Sequence, residues 1–214
     1  MKIIFAVLII QTFTFFAPFA VAENQDHLVM YSETVNGEEM NGYKTQDGKI
    51  VIKAKYSIAM PDKMYGIAFV ISDGQWVCID RKENVILYPF IYDNGPDYIV
   101  EGLFRFVEND KIGFADSDAN IIIPAEFDFA GYFREGLSEF AYGGHKEYDD
   151  TKEHWIWTGE KEIGYINKFG QKFTRIINTD DDQRIAWTKD GKCYYIDKDA
   201  KIIKEAEIDK EKED

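Results

Sequence analysis

A short phrase written several times over is the feature that most constrains what this chain can fold into. Lys111-Ile112-Gly113-Phe114-Ala115-Asp116 is followed by Ile121-Ile122-Ile123-Pro124-Ala125-Glu126-Phe127-Asp128 and then by Phe133-Arg134-Glu135-Gly136-Leu137-Ser138-Glu139-Phe140. The first two pieces align without a gap on an earlier stretch, Gly42-Tyr43 with Gly113-Phe114, Asp47 with Asp118, Ile50-Val51-Ile52 with Ile121-Ile122-Ile123, and Tyr56 with Phe127. Further copies begin at Trp76-Val77-Cys78-Ile79-Asp80, Ile163-Gly164-Tyr165-Ile166-Asn167 and Cys193-Tyr194-Tyr195-Ile196-Asp197. A second phrase opens at Gly66, Gly102 and Gly136, in steps of 36 and 34 residues. One such unit cannot bury its apolar face alone, so the repetition demands neighbours that stack.

Each copy reads as three short strands. Gly-Leu-x-x-Phe alternates and runs into a polar turn; a second strand ends on Asp or Asn; a third, β-branched run follows another acidic turn. Runs this short, rich in Ile, Val, Phe and Tyr and punctuated by Gly, Asn and Asp, argue against helix. Asp93-Asn94-Gly95-Pro96 is a strong breaker, and Pro89 and Pro124 are expected to end strands. The fold class expected is therefore all-β, with stacked three-stranded antiparallel units forming an elongated or curved meander. A closed propeller-like ring is the alternative, and proximity of Cys78 and Cys193 would favour it.

These residues resemble the WG-repeat family. Its unit runs roughly Gly-Lys-Trp-Gly-Phe-Ile-Asp, then a hydrophobic run ending Ile-Pro, then Tyr-Asp, and later Phe-x-Glu-Gly-Leu-Ala. Lys111 to Asp116, Ile123-Pro124, Phe127-Asp128 and Phe133 to Leu137 carry the likeness, which spans roughly residues 41 to 204. The family's Trp is matched by Trp76; Ile112, Ile163 and Cys193 stand in its place elsewhere. The resemblance implies stacked antiparallel β units and no particular activity.

Residues 1 to 22 differ in kind from the rest. Lys2 precedes the apolar run Ile3 to Ile10, and Ala20-Val21-Ala22 supplies small residues before Glu23, the pattern of a cleaved signal peptide. An exported protein, periplasmic or extracellular, is expected, with no stable membrane insertion after cleavage. The alternative is a retained anchor, because a stretch of this length at about 1.5 Å per residue reaches across a hydrocarbon core. Residues 23–40 read as a leader or N-terminal cap, 41–204 as the repeat domain, and 205–214 as an acidic tail with too little apolar surface to hold itself down.

Charge narrows the partners. Thirty-nine acidic against 25 basic residues give a net charge of −14, which repels phosphate backbones and favours basic proteins. Nucleic acid is thus not an expected partner; a basic protein or a glycan is. Cys78 and Cys193 read as small buried side chains, with a disulfide as the alternative that export would permit.

The search for chemistry yields no catalytic motif, no cofactor and no metal cluster. Asp116-x-Asp118-x-Asn120 resembles the opening of a calcium loop, yet Ile121 and Phe127 stand where an EF-hand needs Gly and Glu, so a tight turn is the better reading. Asp180-Asp181-Asp182 reads as a loop charge run. A polysaccharide hydrolase, the enzymatic alternative, would need two carboxylates at a defined separation, and the sequence does not single out a pair.

The strongest functional lead is where the period breaks. Residues 141 to 160 interrupt the array with Tyr142, His145, Tyr148, His154, Trp155 and Trp157. Insertions in repeats map to loops on one face, often the binding face. Trp155 and Trp157, two apart, share a strand face and with Tyr142 and Tyr148 offer flat rings to a sugar or peptide. The same indoles would equally cap the core of a lengthened hairpin. The expected function is an exported, non-catalytic binding or scaffold module.

Overall fold

In the computed structural model, which describes residues 26–92, 94–179 and 183–207, each expected three-strand phrase is a meander. The proposed signal segment, Asp93, the run Asp180-Asp181-Asp182 and residues 208–214 of the proposed tail lie outside the described residues. The first unit is β1 (Leu28–Val35), β2 (Glu38–Lys44) and β3 (Ile50–Tyr56). Residues 28–40, expected as leader or cap, supply β1 and the start of β2. The second unit opens with β4 (Ala59–Met60); β5 (Lys63–Met64) pairs back on β1, and β6 (Ile67–Ser72), β7 (Gln75–Asp80) and β8 (Val85–Pro89) complete it. The third is β9 (Leu103–Glu108), β10 (Lys111–Asp116) and β11 (Ile121–Phe127). The fourth is β12 (Phe129–Ala130), β13 (Leu137–Tyr148), β14 (Trp155–Asn167) and β15 (Lys172–Phe173), and the fifth β16 (Arg175–Asn178), β17 (Arg184–Trp187), β18 (Cys193–Ile196) and β19 (Ile202–Glu205).

The chain is all-β and its strand pairs are antiparallel, but its sheets are not simple three-stranded units. The described strands form sheets in the orders β3-β2-β1-β5, β11-β10-β9-β8-β7-β6-β4, β12-β13-β14-β15 and β16-β17-β18-β19. None of these orders closes on itself. A short lead strand adds a fourth member to the unit: Ala59 pairs with Val70, and Ala130 with Phe140. In the third unit that place is taken by the end of β8, where Pro89 pairs with Phe106. One strand thereby serves two units and fuses them into the seven-stranded sheet. Pro124, expected to end a strand, instead lies exposed inside β11. It is tolerated because β11 is an edge strand and the ladder is bulged there.

Stacking buries what the repeats promised. Leu28, Tyr43, Ile52 and Met64 of the first unit pack with Ala68, Val70, Val77 and Ile79 of the second. The other side of the second unit, Ile67, Phe69 and Cys78, meets Phe104, Phe106 and Ala115 of the third. Phe114, Ile123 and Phe127 then meet Phe133, Phe140 and Ile166 of the fourth, and Leu137 and Phe173 meet Ala186, Ile196 and Ala200 of the fifth. Period two thus divides β6 between two interfaces, so the strand is buried on both faces for most of its length.

The turns explain the punctuation. Three hairpins between first and second strands are two-residue loops with both φ angles positive, at Asn36-Gly37, Asp73-Gly74 and Asn109-Asp110, the conformation that matches strand twist. After the second strand, Asp116 accepts hydrogen bonds at Oδ1 from the amides of Asp118 and Asn120, both 2.9 Å, and at both carboxylate oxygens from the Asn120 side chain. Asp80, Asn167 and Asp197 accept the corresponding pair of backbone amides at Oδ1 in their units. The resemblance to a calcium loop is therefore the mark of a turn whose acid is already saturated by local donors.

Candidate functional site

The interruption at 141–160 enlarges one of these turns. Where the first three units spend two residues between their first and second strands, the fourth grows a long hairpin, with Tyr148 opposite Trp155 and Lys146 opposite Trp157. A bulge between Tyr142 and Gly143 starts it, and Gly143, Gly144 and Gly159 all take positive φ. A Cβ on Gly144 would stand 2.5 Å from the Trp157 indole nitrogen, so a glycine there lets the ring lie flat on the strand.

Asp128 fixes the bulge. Its Oδ2 accepts the Gly143 amide at 2.7 Å and its Oδ1 accepts the Lys111 ammonium at 2.5 Å. The Lys111 bond, with that amide, holds the Asp128 carboxyl below the usual carboxylate range. The repeat phrase Phe127-Asp128 therefore places an anchor at the end of the third unit for the hairpin of the fourth.

Both indoles fold back over the array. Trp157 stacks on Phe129 with ring centres 5.5 Å apart and planes 15° apart, and its Nε1 donates to the Gly143 carbonyl at 3.0 Å. Trp155 lies 5.1 Å from the Tyr92 ring and meets Phe129 edge-on, and its Nε1 donates to the Tyr92 carbonyl at 3.4 Å. Each is half-buried, so the pair caps the hairpin and still presents ring surface. That surface borders a groove of about 270 Å³ lined by Tyr92, Phe129, Trp155, Trp157, Glu139 and Glu160, with Ile156 and Ile163 at its margin.

The remaining expected residues divide. Tyr148 is exposed beside Trp155. Tyr142 turns to the core instead: its hydroxyl donates to Glu126 at 3.0 Å and accepts from Lys172 at 2.9 Å, and its ring packs on Phe127 and Phe140. Burial and the Glu126 contact raise its hydroxyl's pKa. His145 pairs with Thr158, one position out of phase with both indoles, and His154 is exposed in the hairpin loop. The two histidines therefore do not join the aromatic groove.

Sequence reasoning missed Tyr92, Phe129, Glu139 and Glu160. Tyr92 comes from the loop after β8, and only the fold brings it to a hairpin more than 60 residues later. Glu139 belongs to the repeat phrase, which hid it, and Phe129 lies in the short stretch between two of its pieces. Also missed was Arg105, buried in β9, which forms a two-point ion pair with Asp97 and donates to the Ala130 carbonyl at 2.6 Å. Its guanidinium lies 4.3 Å from the Phe90 ring centre. The equivalent residue one unit on is Glu139, which is exposed.

A larger cavity, about 450 Å³, runs along the last sheet between Arg184, Tyr195, Asp197, Lys198 and Ile203. Arg184 there is engaged with the carbonyls of Glu135, Asp197 and Lys198, tying the fifth unit to the fourth. Among the described residues no group of three or more His, Cys, Asp or Glu is arranged to hold a metal, and no helix is long and apolar enough to cross a membrane. The model of the family described as WG containing repeat matches three consecutive segments, 42–76, 78–111 and 112–144. No curated protein matches the chain.

Proposed function

Residues 42–144 belong to the WG containing repeat family, and from that premise we propose that the chain is an exported, non-catalytic binding module whose recognition site is the groove beneath the 141–160 hairpin. The observation that carries this reading is the convergence of Tyr92, Phe129, Trp155 and Trp157 on one groove, from three separate parts of the chain. Large rigid aromatics give contact area at little conformational cost and dominate many recognition surfaces. The repeats act as the scaffold: an open array of stacked sheets holds the hairpin through Asp128 and Phe129, so the groove is formed before a partner arrives. The partner is a protein or a glycan, and the acidic character of the chain directs it toward basic proteins.

The test compares wild type with the double variant Trp155→Ala and Trp157→Ala in a glycan screen and in pull-downs, with far-UV circular dichroism on each. Lost binding with an intact β signal supports the groove. Unchanged binding by a folded double variant rejects it.

A second reading rests on Glu139 and Glu160, two carboxylates at one groove, as a polysaccharide hydrolase requires. Turnover of cell-wall or extracellular polysaccharide that disappears in both Glu139→Gln and Glu160→Gln would favour it. Binding without turnover favours the module.

A further inference from the structure

The chemistry of the groove selects among partners. Its lining holds two carboxylates, Glu139 and Glu160, and no basic side chain. Among the described residues neither carboxylate has a hydrogen-bond or ion-pair partner, whereas three other carboxylates of the third and fourth units are matched: Glu162 with Lys189, Glu126 with Lys172, Asp128 with Lys111. Beside these unmatched anions stand the exposed ring of Tyr92 and the half-buried ring of Trp155, joined by Trp157, one face of which is taken by Phe129. Rings attract cations by their quadrupole, Trp most strongly. The chain itself supplies an example, since the Lys146 ammonium sits 4.3 Å from the Trp155 ring centre without lining the groove.

Resting on the groove reading above, we propose that the occupant is an arginine side chain of a partner polypeptide. A guanidinium is planar, so it lies flat on an indole while its fork of donors reaches carboxylates. A neutral sugar would use the rings and leave both carboxylates to hydroxyl donors alone. The charge of the whole chain, −14, speeds the approach of a basic segment and makes its capture salt-sensitive. Ile156 and Ile163, both exposed at the margin, give the flanking peptide an apolar rest.

The experiment titrates the folded exported protein with a blocked Gly-Arg-Gly-Arg-Gly peptide and its Gly-Gln-Gly-Gln-Gly counterpart, following tryptophan fluorescence and heat. Neutral oligosaccharides form a third arm. The variant Glu139→Gln with Glu160→Gln is used because both side chains reach the surface and the change keeps their shape. Tighter binding of the arginine peptide, by about tenfold over its glutamine counterpart, is expected, with the preference erased in the double variant and weakened at high salt. Equal binding of the two peptides, an arginine preference that survives the double variant, or no peptide binding at all overturns the proposal. Oligosaccharide binding that depends on Trp155 and Trp157, with no peptide binding, overturns it while leaving the groove reading standing. Peptide binding unaffected by the Trp155 and Trp157 replacements overturns both.

Discussion

The carboxylate of Asp128 receives the backbone amide of Gly143 from the next unit at 2.7 Å, so a residue of the repeat phrase controls the one place where the phrase is broken. Hydrogen bonds to a charged acceptor contribute more than neutral ones, about 1.5–3 kcal/mol. Asp128→Ala should therefore lower stability by about 1–2 kcal/mol, with Asp128→Asn losing less, as read from denaturant midpoints. Hydrogen exchange should show the loss concentrated in residues 141–160, because the fourth unit's other contacts remain.

The same carboxylate sets a pH signature. Its folded pKa lies below the unfolded value of about 3.9, so its stabilisation is fully present above about pH 5 and is lost as pH falls through the lower folded value. The stability gap between wild type and Asp128→Asn should be constant from neutral pH down to about 5 and narrow below about 4. Denaturant titrations at a series of pH values measure it, and a gap that widened in acid would contradict the assignment.

Glycines of the repeat phrase act by close approach. A Cβ on Gly113 would stand 2.7 Å from the Ala125 nitrogen and the Ile123 carbonyl oxygen, both backbone atoms that cannot swing aside. Gly170, by contrast, has a positive φ of 78° and open space around it. Gly113→Ala should cost more than about 2 kcal/mol by forcing the bulged ladder apart, and Gly170→Ala about 1–2 kcal/mol from backbone strain alone. Thermal melts of the two variants rank them.

Arg105 and Asp97 are 4% and 13% exposed, an ion pair set between units and covered by the loop after β8. Removing one partner of a buried pair strands the other charge, at a cost of about 3–5 kcal/mol. Arg105→Met and Asp97→Asn should each destabilise strongly, and the double variant should cost far less than the two together. A double-mutant cycle gives the coupling.

Period and turn residues were legible because each follows from local chemistry: Asp73-Gly74 announces a hairpin, and Asp116 with Asn120 announces a turn, whereas the hairpin at Asn36-Gly37 lies in a stretch read as leader or cap. The interruption at 141–160 was legible as a break in the period for the same reason, since Trp155 and Trp157 stand outside the phrase. What stayed hidden depends on spacing between units. Nothing local distinguishes the run ending at Pro89, which passes directly into the next unit's lead position, from the run ending at Phe127, which pauses at Asp128 before Phe129 does so. The seven-stranded sheet follows from that one difference. Tyr92 and Glu139 were hidden likewise, one in a loop and one inside the repeat, until stacking set them beside the indoles.

The two cysteines occupy different environments. Cys78 is fully buried with Phe69 and Phe104 between the second and third units, and burial pushes its thiol up to about 12. Cys193 lies partly exposed on β18, donating from Sγ to the Ala206 carbonyl at 3.0 Å. Both are free thiols. Since the thiolate is the reactive form, a thiol reagent added to the native protein should modify Cys193 first and Cys78 only as the array opens. Adding denaturant without reductant should release two thiols per chain. One fast and one slow phase, with Cys193→Ser removing the fast one, is the expected record. A zero count under denaturing conditions would instead join the two residues, and with them the second unit and the fifth, into a curled array that the open strand orders do not contain.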